Sequence, residues 1–257
     1  MNTVSHNPFS LEGKTILVTG ASSGIGQQCA IDCSRMGAKV AILGRNHERL
    51  RETLSRLEGE GNHAYAVELT DDAAVKDTVS EVVADMGRLD GVVNCAGISG
   101  VFPLKLMSEE KIMEFLRNNV VSALSLTREC LRKKNFSTTG GSVIFFSSVM
   151  GVVGEKAKSL YGLTKGALIA ASRGLACEFA DRKVRVNSIS PGAIVTPINS
   201  KLPYMADPEA RAILESRHPL GLGETSDISN GVIYLLSDAS RWVTGQNLII
   251  DGGYTAQ

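Results

Sequence analysis

The chain has 257 residues, of which 43% are hydrophobic, and its 27 basic residues balance 27 acidic ones. This length and apolar content suit one α/β domain with a large core, and the charge balance gives no reason to expect nucleic acid or an anionic membrane as a partner. No apolar run approaches the roughly 18–20 residues that span a bilayer, and residues 1–10 lack the charged and apolar regions of a signal peptide. We therefore expect a cytoplasmic protein in which residues 1–257 form one domain, with residues 1–10 as an N-terminal extension.

A short apolar strand, Thr15–Val18, leads into a glycine-rich turn and then into a helical pattern that ends near Met36. A strand, a glycine-rich turn and a helix in this order are typical of a dinucleotide site, because glycines let backbone N–H groups approach phosphates at the helix N-terminus. The spacing is G-x-x-x-G-x-G and not the commoner G-x-G-x-x-G. The turn residues that we expect to contact a cofactor are Gly20, Ser22, Ser23, Gly24, Ile25 and Gly26.

The second predicted strand, Lys39–Leu43, ends at Gly44, Arg45 and Asn46. An acidic residue about twenty positions after the glycines binds the ribose 2′-hydroxyl of NAD, whereas an arginine nearby accommodates the 2′-phosphate of NADP. Gly44 stands where the acid is expected, and Arg45 follows it. The sequence therefore predicts NADP(H) as cofactor, with Arg45 and Asn46 at the phosphate.

The alternation of strands and helices continues without a break. Amphipathic patterns predict a helix over 47–59, a strand over 63–69, a helix over 72–86 and a strand over 89–97. Such alternation is typical of a parallel doubly wound sheet with helices on both faces. Small residues at the end of the fourth strand let a ligand lie close to the backbone.

A long helix is predicted from about 108 to 134, capped by Ser108 and with Glu109 and Glu110 in its first turn. It contains Asn119 in its interior. Asparagine is a poor helix former, because its amide competes for backbone hydrogen bonds. Asn119 is therefore either exposed or used for function.

Ser148 follows the apolar strand Val143–Phe146, and Tyr161 and Lys165 stand four residues apart on the predicted helix 159–180. Residues at this spacing share one helix face, so a lysine ammonium there favours the phenolate of the tyrosine and suits it to acid–base work. Ligands of open α/β sheets bind at the carboxyl ends of strands, where Ser148 lies. The Y-x-x-x-K pattern alone is weak evidence for a catalytic pair, because it often occurs by chance. The nucleotide site predicted around it makes the catalytic interpretation stronger.

The last part of the chain predicts a strand over 183–190, a helix from Thr225 or Ser226, and a final strand over 247–251. Residues 197–223 contain several prolines and interrupt the alternation, which favours a lid over a substrate. The five cysteines are odd in number and lack zinc spacing, so we expect buried free thiols and no metal. They are Cys29, Cys33, Cys95, Cys130 and Cys177.

Together these motifs resemble the short-chain dehydrogenase/reductase family over nearly the whole chain. Thr19–Gly26 matches its T-G-x-x-x-G-x-G, Asn94–Gly97 matches its N-N-A-G with Cys95 replacing the second asparagine, and Pro191–Thr196 matches its P-G-x-x-x-T. Its catalytic Asn-Ser-Tyr-Lys tetrad falls on Asn119, Ser148, Tyr161 and Lys165.

The resemblance implies a Rossmann-like sheet of about seven parallel strands, hydride transfer to or from NADP(H), and a role for each tetrad residue. Tyr161 exchanges the proton, Ser148 binds the substrate oxygen, Lys165 holds the nicotinamide ribose and Asn119 keeps a relay water. Beyond the turn, Arg45 and Asn46, the cofactor contacts it implies are Glu68, Leu69, Asn94, Ala96, Gly97, Tyr161, Lys165, Pro191, Gly192, Ile194 and Thr196. Two residues depart from common family patterns: Glu68 replaces an Asp near the adenine, and Ser23 stands where many NADP-using members have a basic residue.

The leading hypothesis is reduction of a carbonyl, most like the 3-oxoacyl-acyl-carrier-protein reductases. Arg182, Lys133 and Lys134 lie where those enzymes have basic residues that dock the acidic carrier protein, although solvated charge at helix ends explains them equally well. The alternatives are a sugar, polyol or other secondary-alcohol dehydrogenase of the same family and, in another class, a non-catalytic dinucleotide-binding regulator. The family pairs its two long helices between subunits, so we also expect a homotetramer or a dimer.

Overall fold

The structure is a computed structural model that describes residues 7–196 and 206–257. Within these residues, seven parallel strands form one sheet, in the order β3-β2-β1-β4-β5-β6-β7. The strands are β1 Thr15–Thr19, β2 Lys39–Gly44, β3 His63–Ala66, β4 Gly91–Asn94, β5 Gly141–Phe146, β6 Val184–Pro191 and β7 Asn247–Ile250. The strand order reverses between β1 and β4, so a crevice forms there at the carboxyl edge of the sheet. The predicted parallel doubly wound sheet is confirmed.

Helices cover both faces of the sheet. They are α1 Gly24–Arg35, α2 His47–Leu54, α3 Asp72–Met86, α4 Glu109–Leu116, α5 Ser122–Cys130, α6 Ser159–Glu178, α7 Pro208–Ser216 and α8 Thr225–Leu236. Successive strand residues point to opposite faces, so in β1 Val18 packs into the core under α1 and α8, whereas Leu17 packs into the core under α3, α5 and α6. This two-sided burial explains why the central strands read as continuous apolar runs.

The helix predicted over 108–134 is divided. It begins as α4, passes through a π-helical turn at Arg117–Val121, and continues as α5 only to Cys130. A π turn is a local insertion into an α-helix and is frequent at functional sites. Asn119 lies in this turn and is buried, which excludes the alternative of an exposed asparagine.

The segment predicted as a lid is only partly described. Residues 197–205, which include Pro203, lie outside the described residues, and so do residues 1–6 of the N-terminal extension. The described part of the segment, residues 206–223, contains α7. Asp207 is its N-cap residue, and the Asp207 carboxylate accepts the Ala210 N–H at 2.8 Å. Pro208 is in the first turn of the helix.

The five cysteines are free thiols, but not all are buried as expected. Cys95 is half-buried and Cys177 is exposed. Across the part of the chain that the structure describes, no helix combines the length and apolar character needed to cross a membrane.

Candidate active site

A cavity of about 920 Å³ opens at the carboxyl edge of the sheet, where the order reverses. Its walls come from the loops that follow several strands, so residues far apart in sequence meet there. The predicted cofactor contacts that line it are Gly20, Ser22, Ser23, Gly24, Ile25, Gly26, Arg45, Glu68, Leu69, Ala96, Gly97, Tyr161, Lys165, Pro191, Gly192, Ile194 and Thr196. Ser148 lines the same cavity.

The glycine turn packs more closely than any side chain permits. A Cβ atom on Gly26 would lie 2.5 Å from the Gly20 carbonyl oxygen, and one on Gly20 would lie 3.0 Å from Cα of Ala96. Gly20 also has φ of 66°, a conformation that favours glycine. The turn feeds directly into α1, whose N-cap residue Ser23 provides no side-chain cap. Backbone N–H groups at such a helix start suit a pyrophosphate, so these residues fit a dinucleotide.

Three charged residues surround the far end of the cavity, beyond β2 and β3. Arg45 lies 3.7 Å from Glu68, and both side chains are largely exposed, so this ion pair contributes little to stability. Burial alone would raise the pKa of Glu68, but hydrogen bonds from Thr70 and the charge of Arg45 lower it overall. Arg49, in the first turn of α2, also lines the cavity and was not predicted.

Two predicted cofactor residues do not line the cavity. Asn46 is the N-cap of α2, where its Oδ1 atom accepts the Arg49 N–H at 2.9 Å. Asn94 is buried at the end of β4, and its amide donates to Thr127 Oγ1 at 3.0 Å. The structure thus gives Asn46 a helix-capping role and Asn94 a role in joining β4 to α5.

Lys165 connects α6 to the end of β5. Its Nζ atom donates to the Phe146 carbonyl oxygen at 2.8 Å and stands 5.6 Å from the centre of the Tyr161 ring. Ser147 strengthens the junction by donating to the Lys165 carbonyl oxygen at 2.9 Å. Ser148 begins the turn after β5, and its Oγ atom accepts the Met150 N–H at 3.2 Å. Serine, tyrosine and lysine therefore share one wall of the cavity.

Burial controls the charge of Lys165. The side chain is only 5% exposed, and this burial lowers the pKa of its ammonium to about 8, although Cys95 acts in the opposite direction. Cys95 is half-buried as a residue, but its thiol is enclosed by the protein; this raises the pKa of the thiol to about 12 despite the opposing charge of Lys165, so the thiol stays protonated at neutral pH.

Asn119 lies directly behind Gly97 and does not line the cavity itself. Its Oδ1 atom accepts the Ile98 N–H at 2.7 Å, and its amide donates to the Ile98 carbonyl at 3.0 Å and to Thr164 Oγ1 at 2.9 Å. A Cβ atom on Gly97 would lie 2.9 Å from Asn119 Oδ1 and 3.4 Å from Lys165 Nζ. The π turn therefore places Asn119 next to Gly97 and Ile98, and Gly97 lies between Asn119 and Lys165.

His218 is a site residue that sequence reasoning missed. It is buried and lines the cavity, and its Nε2 atom accepts the Ala193 N–H at 3.1 Å while Nδ1 lies 2.8 Å from the Leu214 carbonyl. An acceptor at Nε2 requires the proton on Nδ1, so this neutral tautomer joins α7 to the loop after β6. A single histidine without a local motif gives no sequence signal for such a contact.

The part of the cavity near Tyr161 also contains charged residues that the sequence analysis did not single out. Glu155, Lys156 and Lys158 precede α6, and Arg217 follows α7; all four line the cavity. Arg217 reaches Glu155 at 3.2 Å, so the two sides of the cavity mouth are joined by an ion pair.

Comparisons with known proteins agree with this geometry. A family model described as enoyl-(acyl carrier protein) reductase matches residues 20–255. Glucose 1-dehydrogenase of Gluconobacter oxydans is 36% identical, covering 95% of this chain and 92% of that protein. The chain belongs to the short-chain dehydrogenase/reductase family. Members of this oxidoreductase family bind a nicotinamide dinucleotide.

Two further members show how wide the range of relatives is. The 3-oxoacyl-[acyl-carrier-protein] reductase of Thermotoga maritima is 34% identical, with 95% of this chain and 98% of that protein covered. A crystal structure from Beutenbergia cavernae, described as an NAD(P)-dependent gluconate 5-dehydrogenase with NADP bound at low occupancy, is 33% identical. It superposes with a TM-score of 0.88, covering 98% of this chain and all of that one.

The burial of Lys165 gives a pH-dependent stability prediction for the cofactor-free protein. Because its pKa falls from 10.5 to about 8 on folding, the charged lysine destabilises the fold fully below pH 8, and this cost disappears as the pH rises toward 10.5. Lys165→Met removes the cost, which is on the order of 3 kcal/mol. The free energy of unfolding of the variant, relative to the parent, is therefore expected to decrease between pH 7 and pH 10 in denaturant titrations. A difference that does not change with pH would show that burial does not shift this lysine.

Proposed function

We propose that the protein is an NADP(H)-dependent oxidoreductase that interconverts a carbonyl and a secondary alcohol. The observation that carries this proposal is the arrangement of Tyr161, Lys165 and Ser148 on one wall of a cavity whose opposite end is the glycine turn. Four filled tetrad positions argue against a non-catalytic dinucleotide-binding regulator.

When bound, the nicotinamide of the cofactor would supply or accept the hydride. The chain's own residues then handle the proton and the oxygen. Tyr161 donates a proton to the substrate oxygen during reduction and takes it during oxidation, and the Ser148 hydroxyl binds the same oxygen. The Lys165 ammonium near the phenol favours the phenolate that remains, and Asn119 positions the loop at Gly97 from behind.

Tyr161→Phe tests this assignment of the proton donor. The change removes only a hydroxyl, so folding and cofactor binding are expected to stay near parent values while kcat falls by roughly 100-fold or more, the contribution of a positioned acid–base group. Steady-state kinetics and titration of NADPH fluorescence measure the two effects separately. A phenylalanine variant with near-parental kcat would refute the mechanism.

The preference for NADP(H) rests on the far end of the cavity. Arg45 and Arg49 both line it, and two guanidinium groups suit a phosphate through charge-assisted hydrogen bonds. Glu68 is the nearby opposing charge, but its carboxylate is held by Thr70 and by Arg45. The 2′-phosphate can therefore replace Glu68 as the partner of Arg45.

The cofactor proposal predicts that kcat/KM for NADPH exceeds that for NADH by about tenfold or more, which corresponds to about 1.4 kcal/mol. Arg45→Ala is expected to narrow this gap, and Arg45→Ala combined with Arg49→Ala to close it, with little change for NADH. Equal efficiency with both cofactors in the unmutated enzyme would contradict the proposal.

For the substrate we propose a small polar alcohol or carbonyl compound, with a carrier-bound acyl chain as the second candidate. Relatives of both kinds match at similar identity. Arg182, the expected docking residue for a carrier protein, instead donates to the Leu131 carbonyl at 2.7 Å and lies over the Phe179 ring. A guanidinium that caps the end of α5 in this way is less free to bind a partner, which favours the small substrate.

The two substrates are separated by comparing NADPH oxidation with an acetoacetyl carrier protein, with its free thioester and with a panel of ketoses. We expect higher kcat/KM for a member of the small polar panel. A preference for the carrier-bound form that falls on Arg182→Glu and with rising salt would support the second candidate instead.

We also propose a homotetramer or dimer in the cytoplasm. An apolar groove of about 620 Å³ lies between α5 and α6, lined by Leu124, Leu131, Leu175 and Phe179 among others. Its apolar character suits contact between subunits, as the family resemblance implies.

A further inference from the structure

The wall of the cavity beside Tyr161 is basic. Lys156, Lys158 and Arg217 line it, and the carboxylate among them, Glu155, is paired with Arg217. Within residues 7–196 and 206–257, neither lysine has an ion-pair partner within 4 Å, since the ion pairs formed there involve other residues. Two uncompensated ammonium groups therefore face the substrate end of the cavity.

Lys158 is fixed relative to the catalytic tyrosine. It is the N-cap residue of α6, and its carbonyl accepts the Gly162 N–H at 2.7 Å, so Tyr161 lies inside the turn that this hydrogen bond closes. Gly162 also packs closely against the residues after Ser148, since a Cβ atom on Gly162 would lie 2.6 Å from the Met150 carbonyl oxygen. The spacing between Lys158 and the catalytic wall is thus set by backbone contacts.

The loop before Lys158 is also held from outside α6. The Lys158 N–H donates to the Glu155 carbonyl at 3.2 Å, and the Ala157 carbonyl accepts the Phe102 N–H at 2.7 Å. Ala157 adopts φ of 60°, a left-handed conformation that an alanine keeps only when its surroundings require it. Contacts from Phe102 to Ala157 and from Arg217 to Glu155 therefore support the loop from outside α6.

The two lysines differ in how well solvent screens them. Lys156 is exposed, whereas Lys158 is only partly exposed, so the charge of Lys158 acts on a bound ligand with less screening. The first turn of α6 contains no acidic residue, and its N-terminal dipole adds to the positive potential at the same place. Lys158 is therefore the group best placed to bind an anion next to the reacting carbon.

Resting on the proposed function, we propose that the physiological substrate is a hydroxy acid or the corresponding oxo acid, and that Lys158 binds its carboxylate. Lys158 and Tyr161 stand three residues apart at the start of α6, and both line the cavity. One ligand can therefore contact both side chains if it carries a carboxylate and a secondary alcohol in the same small molecule. Sugar acids and short hydroxy acids carry both groups, whereas neutral sugars and simple ketones lack the charge.

The test compares acids with neutral compounds of the same skeleton. The enzyme–NADPH complex is titrated calorimetrically with D-gluconate and D-glucitol, and with 3-hydroxybutyrate and 3-hydroxybutyramide. Alcohol and NADPH are both reduced, so no turnover disturbs the measurement. At least one acid is expected to bind about tenfold or more tightly than its neutral partner, and this preference is expected to shrink at about 1 M salt, where charges are screened beyond ~3 Å. Equal binding within both pairs, or no detectable binding of either acid, would overturn the proposal.

Three variants assign the preference to Lys158. Lys158→Gln is expected to remove most of it, and Lys158→Arg to retain it because the charge remains. Lys76→Gln is the matched control, since Lys76 is an exposed residue of α3 that does not line the cavity. Retention of the acid preference in Lys158→Gln, or equal losses in Lys158→Gln and Lys76→Gln, would show that the lysine does not select the substrate.

Failure of this inference can be told apart from failure of the proposed function. If the protein oxidises glucitol and gluconate with NADP and equal kcat/KM, the oxidoreductase proposal stands and the selection by Lys158 is wrong. If no alcohol supports NADP-linked turnover, the proposed function fails. The calorimetric titrations still report whether Lys158 favours the binding of an acid, and they are repeated without NADPH if NADPH does not bind.

Discussion

The hydrogen bond from Lys165 to the Phe146 carbonyl is the contact on which the site depends. It joins the catalytic helix α6 to the end of the central strand β5, and it does so with a charged group that the protein interior disfavours. Three contacts hold this charge in place. They are the Phe146 carbonyl on the ammonium, the hydrogen bond from the Ser147 hydroxyl to the Lys165 carbonyl, and the close packing of Gly151 against α6. One buried ammonium thus ties α6, the helix that contains Tyr161, to β5 and places a positive charge near the Tyr161 ring.

The sheet provides the rest of the geometry. Because the strands are parallel, their carboxyl ends meet at one edge, and the reversal of strand order opens a crevice between the β1 and β4 loops. The glycine turn, the loop at Gly97 and the start of α6 therefore face one cavity although they are distant in sequence. Side chains such as Asn119 act from behind this wall, through the backbone of the loop that they support.

The sequence was most informative where local pattern and tertiary environment agree. The apolar strands are buried on both faces, so their composition alone marks them, and the glycine turn is explained by contacts that exclude a Cβ atom. It was least informative where the fold brings separate segments together. The π turn at Asn119 leaves no clear composition signal, and Asn46 has the same local position whether it caps a helix or binds a phosphate. His218 contacts Ala193 only because the fold brings the end of α7 next to the loop after β6.

The left-handed conformation of Ala157 has a consequence for how this enzyme can diverge. A left-handed conformation is unfavourable for alanine, so contacts from neighbouring residues must stabilise the loop. A glycine at position 157 would adopt the same conformation without that stabilisation. Exchange at this single position would change how firmly the loop is ordered without touching the residues that perform the chemistry. Because the selection that we propose for Lys158 depends on this loop, position 157 is then a place where substrate range can change during evolution or by design while the residues proposed for the chemistry stay the same.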